Sequence, residues 1–248
     1  MQYVFLTAMG VGGATILGAL MGFIFKRGAE RFGDVILAFA SGIMLAASVF
    51  SLVIPSVEYA VSDMGTVGVA VTVIGIFAGA GCLSLLDRAL ARIERLSNSE
   101  HGERGRGVIL FVLAIAIHNL PEGLAAGVSF GSRNLSDTLM IAGSIALQNV
   151  PEGMVIISPM LAIGIRPWRV LAIALSTGLV EVVGTFIGYF AISISSAILA
   201  PALGFAAGTM LYVIADDMIP KTHESGSGLT TYSLLLGFAL MVVFDTVL

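Results

Sequence analysis

Long apolar runs, broken at near-regular intervals by short charged connections, decide what this chain can become. Eight segments each offer the roughly 20 apolar residues that a helix needs to cross a hydrocarbon core. They lie near residues 3–25, 32–55, 65–86, 108–130, 139–161, 170–190, 197–219 and 229–247. Only 11% of the 248 residues are charged and 57% are hydrophobic, against roughly 25% charged in a soluble domain. Little of the surface is therefore built to meet water. A chain in lipid must satisfy its backbone hydrogen bonds within each segment, so the expected fold is all-α. Residues 1–248 read as a single polytopic transmembrane domain of eight helices. No basic segment precedes Tyr3, so the first run reads as a span rather than a cleaved leader. The single cysteine, Cys82, rules out an internal disulfide framework.

Basic residues set the expected orientation, because Lys and Arg gather on the cytoplasmic side of membrane proteins. Of the 12 Lys and Arg residues, all but Arg133 fall in the connections after the first, third, fifth and seventh spans. With eight crossings those connections share one side. Both termini are then outside the cytoplasm, in the cell (inner) membrane, and the polar loop 91–107 is cytoplasmic. His101 in that loop reads as a solvated histidine.

Two of the spans repeat one another. Ile117-His118-Asn119-Leu120-Pro121-Glu122-Gly123-Leu124 is echoed by Leu147-Gln148-Asn149-Val150-Pro151-Glu152-Gly153-Met154. Consecutive crossings run antiparallel, so the two copies are inverted, a pattern of secondary transporters with interrupted helices near the midplane. Residues four apart share a helix face, which stacks His118 on Glu122 and Gln148 on Glu152. Pro121 and Pro151 have no N–H, so the carbonyls of Ile117 and Leu147 lose their helical partners. Gly123 and Gly153 leave room for another backbone.

The charges of this region carry the functional reading. Glu122, Glu152 and Glu181 all fall inside expected spans, and no expected span contains Lys or Arg. A carboxylate at mid-membrane costs at least roughly 2.5–3.5 kcal/mol, so its partners must be protons or metal ions. An imidazole beside carboxylate and amide oxygens suits Zn²⁺ and other first-row divalent ions, whereas a Ca²⁺ or Mg²⁺ site favours oxygen alone. Asp216 and Asp217 close the seventh span on the cytoplasmic side, where solvation accounts for them and an exit path is the second reading. Glu58 and Asp63 sit in an outward loop, and Asp245 lies near the outward end of the last span.

The paired motif resembles the signature helices of the ZIP (Zrt/Irt-like) metal transporters, and the resemblance covers essentially the whole chain. His118-Asn119-Leu120-Pro121-Glu122-Gly123 matches the family's fourth helix and Gln148-Asn149-Val150-Pro151-Glu152-Gly153 its fifth, in a form similar to the prokaryotic branch. The resemblance implies a 3+2+3 inverted-repeat bundle and a homodimer. It also implies ATP-independent transport of Zn²⁺, or of Cd²⁺, Fe²⁺ or Mn²⁺, into the cytoplasm by alternating access. Helices one, four, five and six would move as a unit. It assigns the paired metal site to His118, Asn119, Glu122, Gln148, Asn149, Glu152 and Glu181, adds Met44 from the second helix, and matches His223 and Glu224 to a cytoplasmic exit region. Three positions depart from the family pattern: Gln148 stands where many members have His, Asn149 where related members have Asp, and Val182 where a Pro often follows the sixth-helix Glu.

Zinc enters this reading as cargo, and no prosthetic group or nucleic acid is implied. The rival within transport is a proton- or sodium-coupled carrier of a non-metal substrate, for which the three carboxylates alone would serve. The rival from another class is an intramembrane metalloenzyme, against which stands the lack of any His-Glu-x-x-His pair. No phosphate-cradling glycine loop suggests a nucleotide-driven pump.

Overall fold

The computed structural model describes residues 1–96, 102–132, 134–223 and 228–247, and every regular element among them is helical. Glu224, His101 and Arg133 lie outside the described residues. The chain begins with α1 (Gln2–Ile24) and α2 (Lys26–Ala47), kinked at Phe32. A π-helical turn, Ser48–Val53, leads into α3 (Ile54–Met64), and α4 spans Gly68–Leu96. The motif helices are α5 (Gly102–Val128) and α6 (Leu135–Val155), the latter extended by α7 (Ile157–Ala162). Then come α8 (Pro167–Ile194) and α9 (Leu199–Val213), a second π-helical turn at Ile214–Met218, α10 (Ile219–His223) and α11 (Gly228–Val247).

Pro55 marks the expected end of the second span, yet the helix continues through it to Met64. Proline is tolerated in a first helical turn, where its missing N–H breaks no bond. Ser48–Val53 widens to a π turn just before it, so α3 starts afresh with Pro55 in its first turn. The second π turn precedes Pro220 in the same way. At Gly65 the backbone takes φ 64°, a state open to glycine, and α4 folds back against α3.

By length and composition, six stretches among the described residues can cross a membrane: Gln2–Ile24, Phe32–Ala89, Leu135–Ala162, Pro167–Ile194, Ser196–His223 and Gly228–Val247. Phe32–Ala89, with 58 residues, is more than twice the length of one crossing and contains the Gly65 turn. The eight expected crossings thus appear as six stretches by this measure. Large apolar side chains face outward around the bundle, with Phe77 75%, Ile74 68%, Leu236 63% and Leu179 60% exposed. The interior, by contrast, encloses Thr15, His118, Asn119, Glu122, Gln148, Asn149, Glu152 and Glu181, each no more than 3% exposed. Apolar outside and polar inside is the arrangement that lipid as solvent favours.

Between elements, the most extensive packing joins α5 to α8, α4 to α9, α2 to α11, and α1 to both α6 and α8. Small residues let these backbones touch. A methyl group added at Gly12 of α1 would overlap the Gly178 carbonyl of α8, and one at Gly178 would overlap the Gly12 carbonyl. Gly42 of α2 sits on the Leu234 carbonyl of α11, and Gly79 of α4 on the Phe205 carbonyl of α9. With α3, the continuation of α2, packing on both α4 and α9, these pairings sort the long helices into two sets, α1 with α5, α6 and α8, and α2 with α4, α9 and α11. The two sets meet where α2 packs on α6 and α5 on α9.

Candidate metal centre

Pro121 lies inside α5 and Pro151 inside α6, as the motif requires, and neither helix breaks. The i, i+4 spacing turns His118 and Glu122 to one face of α5 and Gln148 and Glu152 to one face of α6. The two faces meet. One ligand atom each from His118, Glu122 and Glu152 can be chosen so that all three lie within 4.8 Å of one another, and all three residues are buried. His118 Nε2 is paired with Glu152 Oε1. Gln148 Nε2 donates to Glu122 Oε1 at 2.8 Å. Among the described residues, the lysine–carboxylate pair Lys221–Asp217 lies on the periphery, away from this cluster. Buried charge without an opposite charge is strongly unfavourable, which makes this cluster the candidate cation site among the described residues.

Glu181, on α8, stands apart from that group of three. Its Oε1 accepts from Thr15 Oγ1 at 2.5 Å and from Asn119 Nδ2 at 2.7 Å, and its Oε2 accepts from Asn149 Nδ2 at 2.6 Å. Asn149 Nδ2 also reaches the Val11 carbonyl of α1 at 3.3 Å. The motif glycines frame this network. Gly123 rests on the backbone of Glu181, and Gly153 rests on the carbonyl of Thr15. What the network leaves over is informative: His118 Nδ1, Asn119 Oδ1, Glu122 Oε2, Gln148 Oε1 and Asn149 Oδ1 are buried without a hydrogen-bond partner. Buried polar atoms are nearly always partnered. Five such atoms lie on adjoining turns of α5 and α6, and their mix of nitrogen and oxygen is of the kind Zn²⁺ accepts.

Three other expected residues come from other elements. Met44 is fully buried on α2 within the main apolar core. Asp217, in the second π turn, pairs with Lys221 at 3.2 Å. His223 is exposed at the end of α10, with Nδ1 3.0 Å from the Ile219 carbonyl. Thr15 is not among the expected residues, since a threonine in an apolar helix carries no spacing signal and its partner is 166 positions away. Nor are Ser51 and Ser144, hydrogen-bonded at 2.7 Å between the first π turn and α6, with Asp245 accepting from Ser51 at 3.2 Å. Tyr59 of α3 likewise donates to Asp137 of α6 at 2.9 Å.

Fold and centre together define a class: a polytopic helical membrane protein whose buried polar heart has the donors for a divalent cation. Similarity to known proteins is more particular. The ZIP Zinc transporter family model matches residues 91–245, and the chain belongs to the ZIP family. It is 37% identical over 246 residues to zinc transporter ZIPB of Bordetella bronchiseptica, covering 95% of this chain and 78% of the relative. It is 37% identical over 240 residues to zinc transporter GufA of Myxococcus xanthus, covering 94% of each. With human zinc transporter ZIP11 it shares 31% identity over 319 aligned positions, covering 94% of this chain and 93% of the relative. Membership makes the protein a multi-pass membrane transporter of divalent metal, zinc foremost, and not an enzyme. The reading as a carrier of a non-metal substrate is not favoured.

Proposed function

We propose that the protein carries Zn²⁺ into the cytoplasm across the cell membrane, without ATP, by alternating access around the His118–Glu122–Glu152 centre. The observation that carries this reading is the buried convergence of those three side chains with the unpartnered amide oxygens of Gln148, Asn119 and Asn149. In this reading His118 supplies nitrogen, Glu122 and Glu152 supply the charge that replaces the ion's water, and the amides complete the coordination. Cd²⁺, Fe²⁺ and Mn²⁺ are candidate further substrates, because the donor set does not distinguish sharply among such divalent ions.

Eight crossings follow if Phe32–Ala89 counts as two limbs about Gly65 and α5 as one more. That layout supports the 3+2+3 arrangement, with both termini outside and residues 91–107 cytoplasmic. The moving unit is α1, α5, α6 and α8, whose members touch backbone to backbone, and it travels against α2, α4, α9 and α11. The polar contacts Ser51–Ser144 and Tyr59–Asp137 bridge these sets and would be remade in each cycle. Met44 sits on the stationary side facing the route of the ion, Asp217, His223 and Glu224 lie along the exit, and two copies assemble as a homodimer.

The test is uptake of Zn²⁺, Cd²⁺, Fe²⁺ and Mn²⁺ into proteoliposomes by the wild type and by His118→Ala. Zinc uptake without added nucleotide, reduced at least tenfold in the variant, is the expected result. Equal uptake by the two proteins would detach the motif from transport.

A further inference from the structure

A charged and aromatic patch lies outside the metal centre, at the corner between α7 and α8. The corner reads Gly164-Ile165-Arg166-Pro167-Trp168-Arg169 and turns at Gly164, where φ is 84°. Arg166, Trp168 and Arg169 are all exposed. Trp168, the single tryptophan of the chain, is 62% exposed, and the Arg169 guanidinium lies 5.3 Å from the centre of its ring. No Asp or Glu occurs between Glu152 and Glu181. Among the described residues neither arginine is ion-paired, whereas Lys221 is held by Asp217.

The place of these charges sharpens the imbalance. The beginning of a helix favours negative charge. α6 follows that rule, with Asn134 accepting from the Asp137 N–H at 2.8 Å and Asp137 itself in the first turn. In α8 the first turn holds no acid and no side chain caps it, and two arginines stand there instead. One anion from outside the chain would relieve both.

Depth says which anion. Transporter sites lie near the bilayer midplane, and Glu181, in the network beside the proposed ion site, sets the level of α8. Arg169 is 12 positions before Glu181 and Arg166 is 15. At about 1.5 Å per helical residue they lie roughly 18 and 22 Å from that level. The hydrocarbon ends about 15 Å from the midplane and the headgroup layer about 20–22 Å from it. The guanidiniums thus reach the level of the lipid phosphates, whose geometry they match, and Trp168 sits in the interface that its amphipathic ring favours. A zwitterionic headgroup brings an ammonium that two arginines repel; an anionic one does not.

We propose that Arg166, Trp168 and Arg169 form a docking site for the headgroup of an anionic phospholipid in the cytoplasmic leaflet. The guanidiniums take the phosphate and the indole packs beside the glycerol and the first methylenes. The proposal rests on the orientation and on the mid-membrane level of the ion site given above. Docking there ties α8, the helix that carries Glu181, to the membrane surface.

The experiment reconstitutes the full chain, without zinc, in phosphatidylcholine vesicles. Brominated phosphatidylglycerol or brominated phosphatidylcholine is then added in increasing fraction. Bromine quenches indole emission at contact, and with a single tryptophan the signal reads this corner alone. In the wild type, phosphatidylglycerol should reach half-quenching at a fraction roughly fivefold lower or less, the effect of about one basic residue at an anionic surface. In Arg166→Gln/Arg169→Gln the two lipids should quench alike, with quenching by phosphatidylcholine as in the wild type, which shows that the variant is inserted. Added inorganic phosphate should leave the wild-type preference unchanged. Equal quenching by both lipids in the wild type would overturn the docking site and leave the ion site standing. A preference that persists in the double variant would overturn its assignment to the arginines. Loss of the preference on adding phosphate would make the ligand a free anion and not a lipid. Quenching by neither lipid would place Trp168 away from the bilayer and overturn the level assigned to α8.

Discussion

Among the described residues, Glu122 and Glu152 are the acidic pair that is buried, close together and close to an imidazole. Replacing either by Ala removes a charged ligand while leaving a helix-compatible side chain. Glu122→Ala and Glu152→Ala should each cut zinc uptake to the level of empty vesicles while reaching the membrane at near wild-type abundance, as immunoblots of membrane fractions would check. Normal uptake by either would remove the repeat from the mechanism. His118 adds a pH dependence. Zinc needs the imidazole nitrogen deprotonated, so protons and metal compete there and at the carboxylates. Zinc affinity should therefore fall as the pH is lowered, and fall less steeply in His118→Gln. Calorimetric titration of both proteins gives the two slopes, and equal slopes would take His118 out of the coordination sphere. These residues were legible in the sequence because carboxylates doubled inside apolar helices, with no basic side chain to neutralise them, demand a cation. Thr15 was not legible. Its role comes from a partner on another helix, and nothing in its own neighbourhood marks it.

Helices were easier to foresee than their ends. The apolar runs set where α1, α6, α8 and α11 lie, but a proline read as a stop at position 55 is carried through by a π turn, which sequence periodicity does not announce. Helix contacts were half visible. Gly123 and Gly153 promised a close backbone, but which backbone depended on the tertiary fold, and the answers are Glu181 and Thr15. Their steric demand gives a prediction. Gly153→Val would drive a branched side chain into the Thr15 carbonyl, and overpacking of this kind costs typically about 1–3 kcal/mol. Its thermal unfolding in detergent should begin several degrees below that of the wild type, with zinc uptake reduced. Gly10→Val, on α1 where a Cβ has open space, should change neither. Equal losses in both would take the Thr15 contact out of the explanation.

At the scale of the molecule, the basic bias of the connections predicts an orientation that labelling can check. The background is Cys82→Ala, because Cys82 is exposed. Ser62→Cys should react with an impermeant maleimide added outside intact cells, and Ser99→Cys should react only after the membrane is opened. Reaction of Ser99→Cys from outside would invert the topology. The sorting of helices into two sets could not be seen in the sequence, because it is written in pairwise glycine contacts between distant segments. The acidic centre has one more consequence. A membrane potential acts on charge, by about 2.3 kcal/mol per elementary charge per 100 mV. Zn²⁺ held between Glu122 and Glu152, with Glu181 buried in the adjoining network, would offset most of the negative charge there, so the loaded centre would feel less of that field. The emptied centre, with no basic side chain beside it, feels more. In the proposed import cycle, in a cell that is negative inside, the voltage would push the vacated site back toward the outer face, and the resting potential would act as the spring that resets the carrier.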